Sequence, residues 1–102
     1  MRLYDLAKVL RSKNSGPFEI TLDILFDGPA AYRRALNSGR ITRESVAALY
    51  RIDPARIVEF VHYDAACGIK ITFLREVASG TVGDRDVYGA QQHAPLMDID
   101  IP

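Results

Sequence analysis

Two histidines, His62 and His93, are the side chains here whose ordinary pKa lies near neutrality, and they fall on different segments. His93 ends a run that reads Asp84-Arg85-Asp86-Val87-Tyr88-Gly89-Ala90-Gln91-Gln92-His93-Ala94-Pro95. Two carboxylates, a phenol, two amides and an imidazole are costly to bury without partners. In an active loop His93 would be the general acid or base, with Asp84 or Asp86 orienting its ring and Tyr88 beside it. Gln91 and Gln92 would then donate to a substrate carbonyl or carboxylate. The same stretch also reads as a solvated loop with Gly-Asp and Tyr-Gly turns, or as a loop that docks on another chain.

A second candidate is Arg11-Ser12-Lys13-Asn14-Ser15-Gly16-Pro17, whose Asn, Ser, Gly and Pro favour turn geometry. Read as a loop, Arg11, Ser12, Lys13 and Asn14 offer cations, a hydroxyl and backbone N–H groups to a phosphate or carboxylate. It is no phosphate loop, because the glycine follows the lysine and a strand comes next. An ordinary connection is the plainer reading. His62, inside a strand pattern beside Tyr63, reads as a hydrogen-bonded structural histidine. Cys67 has no second Cys or His near it in sequence and reads as a bystander thiol. Arg33, Arg34, Arg40, Arg43, Arg51 and Arg56 are interleaved with Glu44, Asp53 and Glu59, which describes a solvated face. No metal-site spacing occurs, and neither a metal nor a cofactor is expected.

The elements that must carry these groups follow from periodicity. Phe18, Ile20, Leu22, Ile24 and Phe26 alternate with Glu19, Thr21 and Asp23, so this stretch is a strand with one face on a core. Asp27-Gly28-Pro29 stops it and starts a helix with Tyr32, Ala35 and Leu36 as its apolar stripe. Asn37-Ser38-Gly39 ends that helix, and Thr42 caps another carrying Val46, Leu49 and Tyr50. After Asp53-Pro54, Ile57 to Tyr63 and Ile69 to Leu74 read as antiparallel strands joined across Asp64 to Gly68. Residues Met1 to Leu10 fit either a helix or a strand. Leu96 to Ile101 alternates again, predicting a final edge strand with Met97, Ile99 and Ile101 on one side and acids on the other. The segment from Glu76 to Pro95 has little periodicity and reads as a long functional or disordered loop.

These elements predict an α+β two-layer sandwich, with a mostly antiparallel sheet of about four strands and two or three short helices on one face, of ferredoxin-like type. The 102 residues, 48% hydrophobic and 25% charged, suit one globular domain over residues 1–102. Thirteen basic and 13 acidic side chains cancel, so the chain lacks the cationic field that draws a protein to nucleic acid or anionic lipid. A single cysteine forms no internal disulfide, and no apolar run approaches the ~18 residues of a spanning helix. The cytoplasm is the expected compartment.

Three segments together carry a family resemblance: Leu3-Tyr4-Asp5-Leu6-Ala7 with Arg11 to Glu19, Thr21 to Phe26, and Gly83-Asp84 with Asp86 to Leu96. The chain resembles a bacterial family of small proteins of unknown function that accompany AtuA-type (acyclic terpene utilisation) proteins. Leu3, Asp5, Leu6, Ala7, Arg11 and Ser12 are also similar to the opening of the ferredoxin-like domain that closes the AtuA-type chains. There a Lys-Gly step follows, whereas this sequence runs Lys13-Asn14-Ser15-Gly16. The resemblance implies a small subunit, or a detached version of a domain that elsewhere works fused to a catalytic body. It carries over no catalytic residue.

Three expectations follow. The chain is an accessory subunit whose polar loops complete a site on an AtuA-like partner that processes a carboxylic acid or its thioester. Alternatively it is a stand-alone, homo-oligomeric small-molecule enzyme or binder using the 84–93 loop. A third reading is a structural homo-oligomer pairing through the edge strand Leu96 to Ile101.

Overall fold

A computed structural model of the chain describes residues 1–74 and 94–102. The elements, in chain order, are α1 (Leu3–Leu6), β1 (Ala7–Gly16), β2 (Glu19–Phe26), α2 (Pro29–Asn37), α3 (Arg43–Tyr50), β3 (Ile57–Tyr63) and β4 (Gly68–Leu74). Short 3-10 turns occupy Pro54–Arg56, Asp64–Ala66 and Ala94–Asp98. The four strands form one antiparallel sheet in the order β1-β2-β4-β3. The expected α+β sandwich is present, built as hairpin, helix pair, hairpin. That order along the chain differs from the β-α-β-β-α-β order of ferredoxin-like sandwiches, although the layers are the same.

The alternation in β2 has the predicted consequence. Ile20, Leu22, Ile24 and Phe26 are buried, and they meet Ile69, Ile71 and Phe73 of β4 with Tyr32, Ala35, Val46 and Ala47 of the helices. Phe18 lies one residue before the strand and is 55% exposed, so the apolar face begins at Ile20. Helix α2 starts as expected, with Gly28 at φ +99° and Pro29 in the first turn. In α3 Thr42 and Ser45 form a reciprocal capping box, the Thr42 hydroxyl accepting from the Ser45 N–H at 3.0 Å. The buried pair in α3 is Val46 and Ala47, with Tyr50 packed beside them, while Leu49 points to solvent.

Two expected elements are different in kind. Arg11 to Gly16 is not a loop but the second half of β1, paired with β2 from Arg11↔Asp23 to Gly16↔Glu19. An outer strand has one neighbour to satisfy, so turn-forming residues are tolerated there, and a register shift between Asn14 and Gly16 absorbs them. Leu96 to Ile101 is not an edge strand. It is a 3-10 turn, Ala94–Asp98, followed by a single bridge between Asp100 and Arg2. Its fully buried side chains are Leu96 and Ile101 rather than an alternating row, and Leu3 and Ile101 donate their backbone N–H groups to Ile99 and Met1 at 2.7 Å. The outer strands are instead β1 and β3.

The face of the sheet opposite the core carries a polar ladder. Arg11 ion-pairs with Asp23 at 3.2 Å, and Lys70 lies 3.6 Å from Glu59. Between them Thr72 donates its hydroxyl to Glu59 at 3.0 Å, which leaves its oxygen to accept from Thr21, also at 3.0 Å. Thr21 and Thr72 are both buried, so this relay satisfies two hydroxyls that would each cost about 1–3 kcal/mol if left alone.

Candidate functional site

The strand at Arg11 to Asn14 redistributes the predicted anion-binding set. Alternation sends Arg11 and Lys13 to the face opposite the core, and Ser12 and Asn14 to the other side. Ser12 is buried at 8% exposure, and Arg11 is held by Asp23. The four therefore do not converge on one point. Asp84, Asp86, Tyr88, Gln91, Gln92 and His93 lie outside the described residues. His62 is exposed on β3, with its ring edge-on to Phe60 at 5.7 Å. Among the described residues no group of three or more His, Cys, Asp or Glu side chains could hold a metal ion. Nor is any described helix long and apolar enough to cross a membrane.

Two concave regions emerge that the residue pattern did not flag. The first is a groove of about 440 Å³ where α1 runs into β1, lined by Tyr4, Ala7, Lys8, Val9 and Leu10. Its shape follows from the backbone. Helix α1 is one short turn, and the chain enters β1 through a register shift between Ala7 and Val9 that leaves Lys8 without a cross-strand partner. Tyr4 is 49% exposed, and the Arg2 guanidinium lies 5.3 Å from the centre of its ring. Arg2 is itself held by Asp5 at 3.4 Å and Asp98 at 3.1 Å. The groove thus offers an exposed aromatic ring, the stems of Val9 and Leu10, and the ammonium of Lys8. Such a surface complements a partner that is apolar at its centre and acidic at its rim.

The second region is a cavity of about 300 Å³ between α2 and the β3–β4 hairpin, lined by Pro29, Tyr32, Arg33, Leu36, Asp64 and Cys67. Tyr32 donates its hydroxyl to the Asp64 carboxylate at 2.6 Å. Burial first, and then the hydrogen bond and charge of Asp64, push the Tyr32 phenol up to about 12. The phenol is therefore neutral at physiological pH and serves as a donor, not as a base. Cys67 follows the Asp64–Ala66 turn in the left-handed region, φ 50°, and is half-buried at the cavity wall. Its neighbour Gly68 is closely approached, since a Cβ there would meet the Leu25 Cδ2 at 2.6 Å and that side chain would have to turn away. Tyr32 and Asp64 are far apart in sequence, and only the packing of α2 on the hairpin joins them.

The sequence model of one family, a domain of unknown function (DUF4387), matches residues 3–100. No curated protein matches the chain. No solved structure matches it either.

Proposed function

We propose that this chain, which belongs to the DUF4387 family of domains of unknown function, is an accessory or small subunit of an AtuA-like partner. It completes or stabilises that partner in the catabolism of carboxylic acids or their acyl thioesters, in the cytoplasm. The observation that carries the proposal is the α1–β1 groove with the edge beside it. Strand β1 is ten residues long, no described strand pairs with its outer side, and it bears Lys8, Arg11 and Lys13 with no acid among them. Strand edges of this kind accept a further strand or an acidic surface. Leu3, Asp5, Leu6, Ala7, Arg11 and Ser12, which carry the resemblance to the AtuA-type closing domain, lie on these same two elements.

In this reading His93, Asp84, Asp86, Tyr88, Gln91 and Gln92 are the groups offered to the shared site. The discriminating variant is Lys8→Glu with Lys13→Glu, which spares the Arg11–Asp23 pair. When the chain is co-expressed with the AtuA-like protein, this change should abolish the partner's retention while the fold persists by circular dichroism. Unchanged retention would remove β1 as the docking element.

A second reading is a stand-alone small-molecule binder or enzyme, and the Tyr32–Asp64 cavity favours it. Short carboxylates should then raise the melting temperature of the isolated chain, and Asp64→Asn should change that shift. A melting temperature indifferent to such ligands would set this reading aside.

A further inference from the structure

Strand β3 forms the other border of the sheet, and its pattern differs from that of β1. Its register with β4 shifts once, between Ile57 and Glu59, and runs unbroken from Glu59↔Thr72 to Tyr63↔Gly68. Among the described strands none pairs with its outer side. Val58 and Tyr63 are exposed at 53% and 45%, and Phe60 and Val61 are half-buried. Its one carboxylate, Glu59, is occupied inward with Thr72 and Lys70. No Lys, Arg or Pro guards this strand, although these are the usual means of keeping an edge unpaired.

Two copies of one strand can pair antiparallel only about a two-fold axis perpendicular to the sheet, which keeps core face with core face. Opposed residues must then share a face, so the axis passes through a residue and not between two. For the regular run Glu59 to Tyr63 the central residue is Val61. Val61 then opposes Val61 of the second copy, Phe60 opposes His62, and Glu59 opposes Tyr63. Every opposition is favourable or neutral: two aliphatic side chains, two aromatic rings on the core face, and a carboxylate that can accept from a phenol. The Phe60 and His62 rings, already edge-to-face at 5.7 Å within one chain, become a four-ring cluster in the pair.

The same operation on β1 fails. Its regular run is Val9 to Asn14. An axis at Arg11 sets Arg11 against itself, and an axis at Ser12 sets Arg11 against Lys13. Like charges directly opposite each other destabilise a pairing. Charge therefore selects β3 for self-association and leaves β1 for something else.

We propose that a second copy of this chain docks on the outer edge of β3, about a two-fold axis at Val61, joining two four-stranded sheets into one. The pairing uses the border of the sheet opposite β1, so it stands or falls separately from the partner role assigned to the groove.

The first test is the mass of the purified full chain by light scattering and native mass spectrometry across a concentration series. The expected species has twice the mass of the 11.4 kDa chain, and a monomer at every concentration overturns the proposal. Two substitutions then test the register. Tyr63→Glu places a carboxylate against Glu59 twice over and should weaken the dimer about tenfold. Tyr63→Lys places an ammonium there and should leave it intact, showing that the position tolerates a long charged side chain. Equal effects of the two would contradict the register. Finally, Val61→Cys in a Cys67→Ser background puts two thiols at opposed positions with Cβ atoms about 4.5–5.5 Å apart, wider than a disulfide prefers but within the span of a short bis-maleimide. That reagent should give a cross-linked dimer, and a dimer that does not cross-link at this position overturns the two-fold axis proposed.

Discussion

The hydroxyl of Tyr32 donates to the carboxylate of Asp64 at 2.6 Å, and this bond ties the middle of α2 to the turn between β3 and β4. It fixes the wall of the 300 Å³ cavity and holds one phenol neutral far above its ordinary value.

Alkaline pH should therefore loosen the fold. A phenol raised from 10.0 to about 12 contributes stability that is whole below pH 10 and is lost as pH rises through 12. Burial pushes Tyr50 up as well, so it acts with the same sign. Thermal melts at about pH 9 and pH 11 should show a marked fall for the natural chain. The fall should be smaller for Tyr32→Phe, the remainder belonging to Tyr50. Identical falls in both proteins would show that the Tyr32 phenol is not perturbed.

The threonine relay makes a prediction about additivity. Thr72→Val strands the Thr21 donor and breaks the link to Glu59, and should cost about 1–3 kcal/mol. Thr21→Val with Thr72→Val removes donor and acceptor together, and β-branched valine suits a strand. The double variant should be more stable than the sum of the two single losses implies. Chemical denaturation of the four proteins measures the coupling directly, and simple additivity would argue that the relay does not form.

Thr42→Ala removes one half of the capping box at α3 and should cost about 1 kcal/mol, read as a lower denaturation midpoint with an unchanged slope. Thr42→Ser should retain most of the cap, which separates the hydrogen bond from the loss of a methyl group.

Gly68→Ala should destabilise more than its single methyl suggests. The added Cβ would stand 2.6 Å from the Leu25 Cδ2 and 3.3 Å from the Ile24 carbonyl oxygen, so Leu25 must move or the hairpin must shift. Gly68→Ala with Leu25→Ala should recover part of the loss, as melting temperatures would report. No recovery would place the strain in the backbone instead.

Burial periodicity made the centre of the sheet readable in advance. Ile20, Leu22 and Ile24 face one side because a strand repeats every two residues, and Ile57 to Tyr63 with Ile69 to Leu74 are readable as two apolar runs joined by a short glycine-ended turn, which pair antiparallel. The borders were less legible. At Arg11 to Gly16 the turn-forming residue types compete with pairing to a single neighbour, and the pairing wins because β2 supplies a continuous partner. At Leu96 to Ile101 the apparent alternation misleads, since Leu96 and Ile101 are fully buried, Ile99 packs only partly against the core, and the segment opens with a 3-10 turn rather than a strand. In α3 the buried stripe is centred on Tyr50, with Val46 four residues and Ala47 three residues before it, so small Ala47 turns inward and large Leu49 falls outside the stripe. The Tyr32–Asp64 pair depends on a contact between separate elements, which no local pattern encodes, and the α1–β1 groove on a register shift set by the pairing of β1 with β2.

The accessory-subunit account is tested most directly by affinity isolation of the full tagged chain from cells that also express the AtuA-like protein, followed by native mass spectrometry of the eluted species. The account predicts a complex with both chains in a fixed integral ratio, weakened by Lys8→Glu with Lys13→Glu. Recovery of this chain alone, or bound only to further copies of itself, would contradict it.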